Sequence, residues 1–591
     1  MRLRVVGAGL WRRTHSTTVR NVRVRNSLVK SEEPFTTLMH GDVPLTWYSC
    51  GPTVYDQSHI GHARTYVCTD IIRRILTDVF GYRLNFALGL TDIDDKIIDR
   101  AGRVKRQGDR AATLTWPDMV AFARHWEAEF FQDLHRLGVK PPDAVLRVTE
   151  HMEEILLYVQ RLLDTDRAYT TEDGIYFDVG AVAAYDKFGH VPPEAEGSAS
   201  PSSVVGRGNK RGPRDFALWK FSKPGEPSYD TSLNAGTCKI APGRPGWHIE
   251  CSAMTHAYFG PHFDLHSGGV DLKFPHHTNE IAQCEAHNCN GHHGTDAGAP
   301  TQQWVQTWLH TGHIYIEGRK MSKSLKNFIS IRDFLASAEY GRRAATDFRI
   351  YCLQHRYSTN LHFGPERIHE AATYRHRLEN FCRLVAALGA VQQTSPVSKP
   401  SDESRQLLAL LHASQAALLA ALADDFDTPV ALRIVSDLVG RATLYTSAAH
   451  ASRGGHSVEC LLAVEDWVTR CMGLLGVDIK AASGGSGGSG GSSSSSRSSS
   501  SSSDSSSAAI GERERQLVDT LVHLRASARQ AGLGGMQLMK AAKAEGKADV
   551  DQALSSLRDV VLACDEARVR AKGLGIQIDD VGQTSTWRPA E

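Results

Sequence analysis

The 591-residue sequence predicts an α/β protein: a doubly wound parallel sheet with an inserted subdomain, then an α-helical bundle, then a small C-terminal module. Three observations carry this prediction. From about Val43 to Trp219 short apolar runs alternate with helical periodicity, the rhythm of Rossmann-like βαβ units whose sites open at the carboxyl ends of strands. After Phe328 strand signals largely vanish, and segments such as Ala371–Leu388 and Glu403–Ala423 keep a helical period. Ser483–Ser507 holds 17 serines and 6 glycines in 25 residues, with no apolar side chain to bury. It reads as a flexible tether spanning about 25–30 Å.

In chain order, residues 1–31 contain no Asp or Glu, while Arg2, Arg4, Arg12, Arg13, Arg20, Arg23, Arg25 and Lys30 stand among Ser, Thr and apolar residues. That is the composition of an organelle transit peptide; with the resemblance described below, the mitochondrial matrix is the expected destination. Another organelle, dual targeting, or a cytoplasmic chain with a retained basic arm are the alternatives. The catalytic domain is expected over 32–345. Leu45–Ser49 and Arg83–Leu90 read as strands around a helix at Ala63–Phe80. Phe216–Phe221, Phe263–His266 and Trp304–Leu309 read as further strands, with helices opening near Trp247 and Pro275. The stretch from about 135 to 214 breaks the rhythm and is expected to be the inserted subdomain. The helical domain follows over 346–482, the tether over 483–507 and the terminal module over 508–591.

Composition excludes some classes. Sixty-seven Lys and Arg against 66 Asp and Glu give a net charge of +1, which rules out a bulk polybasic coat but not a basic face. Because basic charge is concentrated in 1–31, the remainder is net acidic. No uninterrupted apolar stretch nears the roughly 18 residues of a membrane span, so no membrane insertion is expected. Eleven cysteines are too sparse for a disulfide scaffold. Cys68, Cys352, Cys382, Cys460, Cys471 and Cys564 are expected in packing.

Two motifs suit phosphate. His59-Ile-Gly-His62 follows a strand and turn and opens a helix, whose amino terminus offers unpaired N–H groups and a positive dipole end. Gly61 allows close backbone approach, and both imidazoles can donate. Far downstream, Lys320-Met-Ser322-Lys323-Ser puts two lysines three apart on a Ser-rich loop, able to neutralise a developing pyrophosphate. Together and in this order they resemble the signature motifs of class I aminoacyl-tRNA synthetases.

A metal constellation accompanies them. Cys50 ends the first strand, Cys251 lies in Gly246-Trp-His-Ile-Glu-Cys-Ser252, and His276 and Glu280 stand four apart in Phe274-Pro-His-His-Thr-Asn-Glu280. Two thiolates, an imidazole and a carboxylate make a plausible tetrahedral zinc set. Such an ion would favour a substrate thiolate over a serine hydroxyl. A competing local cluster, Cys284, His287, Cys289, His292 and His293, offers closer spacing and a separate metal site as an alternative.

With Cys50-Gly-Pro-Thr-Val-Tyr-Asp56, Thr91-Asp-Ile-Asp-Asp-Lys96 and Asp215-Phe-Ala-Leu-Trp-Lys220 added, the motif series resembles the cysteinyl-tRNA synthetases over roughly residues 40–480 and again near the carboxyl terminus. The resemblance implies one zinc per chain on Cys50, Cys251, His276 and Glu280, with ATP, Mg2+, L-cysteine and tRNA(Cys) as reaction partners and no obligate protein partner. It implies that Gly51, Thr91 and Trp247 meet the substrate cysteine. His59, Gly61, His62, Gly269, Asp271, Lys320, Ser322 and Lys323 would bind ATP, with His59, His62, Lys320 and Lys323 catalytic. The helical region near Asp425-Phe-Asp-Thr-Pro429 would brace the tRNA stem, and Asp580 and Trp587 are candidate anticodon contacts. Ser267, Thr278 and Lys326 depart from the common pattern; Ser267, Lys326 and the Ile576–Trp587 ending look most like the mitochondrial branch. The rival readings are a ligase joining activated cysteine to a small amine and a zinc-stabilised, non-catalytic tRNA-binding protein.

Overall fold

The computed structural model describes residues 22–29, 35–38, 43–108, 112–182, 185–189, 210–231, 240–288, 303–316, 318–321, 327–392, 401–451 and 457–480, together with 558, 561–562, 564–569, 571, 576–581 and 584–589. They form two compact units. One draws on the described residues of 1–371, 418–432 and 474–476, the other on those of 372–417, 433–473 and 477–591.

In the first unit β1 (Val22–Arg25) and β2 (Phe35–Leu38) make an antiparallel pair. Next come β3 (Leu45–Thr53), β4 (Leu84–Thr91) and β5 (Ala144–Arg147) of the main sheet. A separate antiparallel sheet holds β6 (Ala168–Thr170), β7 (Gly174–Phe177), β8 (Phe216–Phe221) and β9 (Gly243–Pro245). β10 (Phe263–Gly269) and β11 (Val305–Thr311) complete the main sheet. Its order is β11-β10-β3-β4-β5, and every neighbouring pair is parallel. β3 and β4 are buried on both faces through Trp47, Tyr48, Phe86, Leu88 and Leu90, as a helix-covered parallel sheet requires. Connections leave β3 towards β4 on one side and reach β10 on the other, so strand order reverses between β3 and β10. A crevice outside the carboxyl ends of strands at such a reversal is where open α/β sheets bind ligands.

The sheet departs from the expectation in two strands. β8 joins the antiparallel sheet, because an apolar run marks a strand without saying which sheet it pairs with. β5 lies inside the stretch expected to be inserted, yet it is the parallel edge strand beside β4. Four residues, Ala-Val-Leu-Arg, were too few to register as a run. The helix α1 (Ile60–Arg74) starts earlier than expected because His59 caps it. The other helices of the unit used below are α2 (Asp95–Gly108), α3 (Trp116–Arg136), α4 (Met152–Asp164), α5 (Trp247–Phe259) and α6 (Thr278–Asn288). α6 begins after Pro275, not on it: Phe274, the residue before the proline, is extended (φ −136°, ψ 132°).

β1 packs into the first unit. Val22 and Val24 are fully buried, and Asn26 stitches the strand to β11 by accepting from Trp308 N (3.0 Å) and donating to Gln306 O (2.9 Å). Residues 22–29 therefore belong to the fold, although they fall within the span 1–31 expected as a leader. A chain starting after residue 31 is expected to be less stable than one starting after residue 21 by on the order of 3–6 kcal/mol, the burial of two valines. Equal melting temperatures for the two truncations would show that β1 contributes nothing.

The second unit is helical: the helices Asp402–Ala423, Thr428–Ala451 and Val458–Leu474 place Leu407, Leu411, Val439, Leu461, Val464 and Trp467 in its core. Among the described residues Asp402–Ala423 alone is long and apolar enough to cross a membrane, by length and composition only; Gln406, His412, Ser414 and Gln415 interrupt it. In the terminal module Ile576–Val581 and Thr584–Pro589 pair as antiparallel strands, setting Asp580 opposite Ser585 and Trp587 opposite Ile578.

Candidate active site

At the carboxyl ends of β3, β4 and β10 lies a cleft of about 310 Å3, lined among others by Cys50, Gly51, His62, Thr91, Trp247, Cys251, Gly269, Asp271 and His276. Residues far apart in sequence meet there because the sheet delivers three strand ends to one place.

Cys50 and Cys251 set their sulfurs 3.8 Å apart, His276 Nε2 is 3.4 Å from the Cys251 sulfur, and His276 Nε2 lies 2.7 Å from Glu280 Oε1. The four donor atoms lie within 4.8 Å of one another and all four residues are buried. Sulfurs bound to one tetrahedral zinc at about 2.3 Å sit about 3.8 Å apart, so the donor set fits that ion. The charges fit as well. Although burial opposes it, Glu280 and Cys251 hold His276 up at about 10, so a proton occupies the cluster where a cation is favoured. Burial would raise Glu280, but His276 and His266 hold it well below the usual carboxylate range. Burial pushes the Cys50 thiol up, and its hydrogen bond to Cys251 pulls the second thiol down.

A second donor set, Cys50, His266, His277 and Glu280, shares two members with the first. Cys251 and His276 line the cleft, whereas His266 and His277 do not. An ion meant to touch substrate belongs to the first set. His266 and His277, with His248 and His310, form a buried imidazole shell around it: His248 Nδ1 is 3.1 Å from His276 Nδ1, and His277 Nδ1 is 2.8 Å from His310 Nε2. Sequence reasoning missed this shell and Glu250, whose buried carboxylate accepts from Thr91 Oγ1 (2.8 Å). Burial, and then Cys251, push Glu250 well above the usual carboxylate range. The signal was available in the Trp-His-Ile-Glu-Cys-Ser motif, but nothing in spacing tells a supporting imidazole or carboxylate from a core residue.

Trp247 stacks on the His276 ring, centroids 4.5 Å apart and 22° from parallel, and so walls the metal side of the cleft. Gly51 sits where a Cβ would meet the Gly89 carbonyl oxygen at 2.0 Å, so close strand approach by itself requires glycine there. His59 Nδ1 accepts from His62 N (3.3 Å), His62 Nδ1 accepts from His59 N (3.4 Å), and the rings stack at 3.8 Å. The two imidazoles thus cap α1 reciprocally. Ile60 N donates to Ile329 O and Ile331 N to Ser58 O, so the chain just after the Lys320–Ser324 motif is hydrogen-bonded to the His59–His62 turn. Lys320 pairs as backbone with Tyr315, while Ser322, Lys323 and Lys326 lie outside the described residues.

Some expectations fall elsewhere. Cys284 and His287 belong to neither donor set; His287 stacks on Tyr158 at 3.6 Å, and Cys289, His292 and His293 lie outside the described residues. Asp425, Phe426 and Asp427 form a buried turn, with Asp425 accepting from Arg25 N (2.9 Å) and Tyr357 Oη (2.9 Å). Asp425 thereby holds β1, also donating its N–H to Arg23 O, while Asp427 pairs with Arg356. Of the cysteines expected in packing, Cys68, Cys352, Cys460, Cys471 and Cys564 are buried, whereas Cys382 is only half-buried.

The family model of the class I (C) tRNA synthetase catalytic domain matches residues 36–373. The chain is 34% identical to the probable mitochondrial cysteine–tRNA ligase of Xenopus tropicalis, over 96% of this chain and 89% of that protein. It is 38% identical to the cysteine–tRNA ligase of Thermococcus onnurineus, over 72% and 80%. With the cytoplasmic cysteine–tRNA ligase of Dictyostelium discoideum it shares 36% identity over 77% of this chain, and spans 65% of that longer protein. The Agrobacterium radiobacter LeuRS–tRNA–LeuAMS complex has the same fold at a TM-score of 0.51 and 10% identity, over 74% of this chain and 84% of that one. Matched by the catalytic-domain model over more than half its length and aligned with the Xenopus relative over nearly all of it, the chain belongs to the cysteine–tRNA ligase family of class I tRNA synthetases.

Proposed function

We propose that this ligase joins L-cysteine to tRNA(Cys) through cysteinyl adenylate, and selects its amino acid with one zinc ion held by Cys50, Cys251, His276 and Glu280. The observation that carries the reading is the buried four-donor set, of which Cys50, Cys251 and His276 line a cleft that His62 also lines. Bound zinc supplies a soft Lewis-acid contact that a thiolate makes and a hydroxyl does not.

The chain's own groups do the rest. Thr91, held by Glu250, and Trp247, packed on His276, shape the cysteine pocket. The cysteine carboxylate attacks the α-phosphorus of ATP, bound with Mg2+, and the bond to pyrophosphate breaks. His59, Gly61 and His62 hold the triphosphate at the amino terminus of α1, with Gly269 and Asp271 towards the nucleoside. Lys320, Ser322 and Lys323 meet the developing charge, so positioning and electrostatics are the whole of the catalysis. A terminal tRNA ribose hydroxyl then attacks the acyl carbon and AMP leaves. The mitochondrial relatives support a matrix location, and the module over 508–591, with Asp580 and Trp587, is assigned to the anticodon.

Cysteine-dependent ATP–pyrophosphate exchange tests the reading. Exchange is expected in metal-replete protein, loss on chelation, and recovery on adding zinc. Exchange that survives complete removal of the metal would reject zinc selection.

A further inference from the structure

In the reading above the nucleotide takes the lining of His62, Gly269 and Asp271, and cysteine that of Cys50, Trp247 and Cys251. The same cleft is also lined by Tyr55 and Asp56 in the turn leaving β3 and by Lys96 in the first turn of α2. Lys96 Nζ stands 5.7 Å from the centre of the Tyr55 ring, and the guanidinium carbon of Arg100, one turn further on, 5.1 Å. Arg100 is neutralised by Asp56 at 2.7 Å. Lys96 is exposed; of the acids just before it, Asp94 feels its charge without an ion pair among the described residues, and Asp95 is taken by Lys220 (2.8 Å) and Arg244 (2.6 Å).

An aromatic ring flanked by cations at the mouth of such a cleft matches the chemistry of a single-stranded nucleic-acid end, whose bases stack and whose phosphates need a counter-charge. The reaction's third reactant has that chemistry, and must bring a ribose hydroxyl to the adenylate within this cleft. We propose that Tyr55 and Lys96 receive the single-stranded 3′ end of the tRNA, a base on the ring and a backbone phosphate on the ammonium. The inference rests on the aminoacylation reading above.

Tyr55→Leu and Lys96→Met in the full chain test it, with Tyr55→Phe keeping the ring. Two rates are compared: cysteine-dependent ATP–pyrophosphate exchange, and single-turnover transfer from preformed adenylate to tRNA(Cys). Transfer is expected to fall about tenfold or more in Tyr55→Leu and in Lys96→Met, and to survive in Tyr55→Phe. In Lys96→Met the salt dependence of the tRNA KM should lose about one unit of log–log slope, the signature of one phosphate contact. Exchange should change much less than transfer. Equal losses in both rates would place this side in adenylation and overturn the proposal, as would unchanged transfer with an unchanged salt slope. Absence of exchange in the unsubstituted, zinc-replete chain would instead reject the aminoacylation reading itself.

Discussion

Cys251→Ser is expected to lower cysteine-dependent ATP–pyrophosphate exchange by about 10^3-fold or more and to take the bound zinc with it. Removing a group that merely supports a metal ligand typically costs 10–100-fold in affinity or activity, and Cys251 is a ligand candidate itself. Its sulfur lies 3.8 Å from that of Cys50 and 3.4 Å from His276 Nε2, so no neighbouring thiol can take its place. Serine fills the same volume but offers a hard, weakly acidic oxygen. The loss should therefore appear in metal content before it appears in folding. Cys284→Ser makes the control, because Cys284 is equally buried and belongs to neither donor set. That variant should keep its zinc and its exchange. A Cys251→Ser protein with stoichiometric zinc and undiminished preference for cysteine over serine would remove the metal from the selection mechanism.

How far the sequence led is clearest in the sheet and in this cluster. β3, β4, β10 and β11 were legible because strands buried on both faces read as apolar runs. β5 was too short to read, and the pairing of β8 is a tertiary choice that periodicity does not encode. β1 was hidden by its own composition: two arginines alternate with Val22 and Val24 in an acid-free stretch, and only packing shows the valines to be core. At the site, Cys50, Cys251, His276 and Glu280 could be picked out because metal ligands come from a short menu of residue types. The shell of His248, His266, His277 and His310 could not, since a buried imidazole beside a metal and one in a core look alike until the strands bring them together. Asp425 has a role that its motif does not announce: in a buried turn it clasps the N-terminal strand through Arg25 N.

His62→Gln should produce the second large effect, a fall in exchange of about 10^2–10^3-fold, the usual consequence of deleting one preorganised donor to developing charge. The choice of glutamine separates two roles that the geometry superimposes. His62 Nδ1 accepts from His59 N and His59 Nδ1 from His62 N, so the pair caps α1 whether or not it touches phosphate. Loss of such a cap costs about 0.5–2 kcal/mol of stability, enough to disturb the helix amino terminus that would hold the triphosphate. Glutamine three residues after a cap can restore the reciprocal bond, so the variant should melt close to the parent protein. What glutamine does not restore is an aromatic donor stacked 3.8 Å from its partner and lining the cleft. Slow exchange with normal melting, normal zinc content and an unchanged KM for cysteine would therefore assign His62 to the nucleotide. Full recovery of exchange in His62→Gln would mean that the imidazole serves only to start the helix, leaving the phosphates to the backbone N–H groups of α1 and the lysines of the downstream loop.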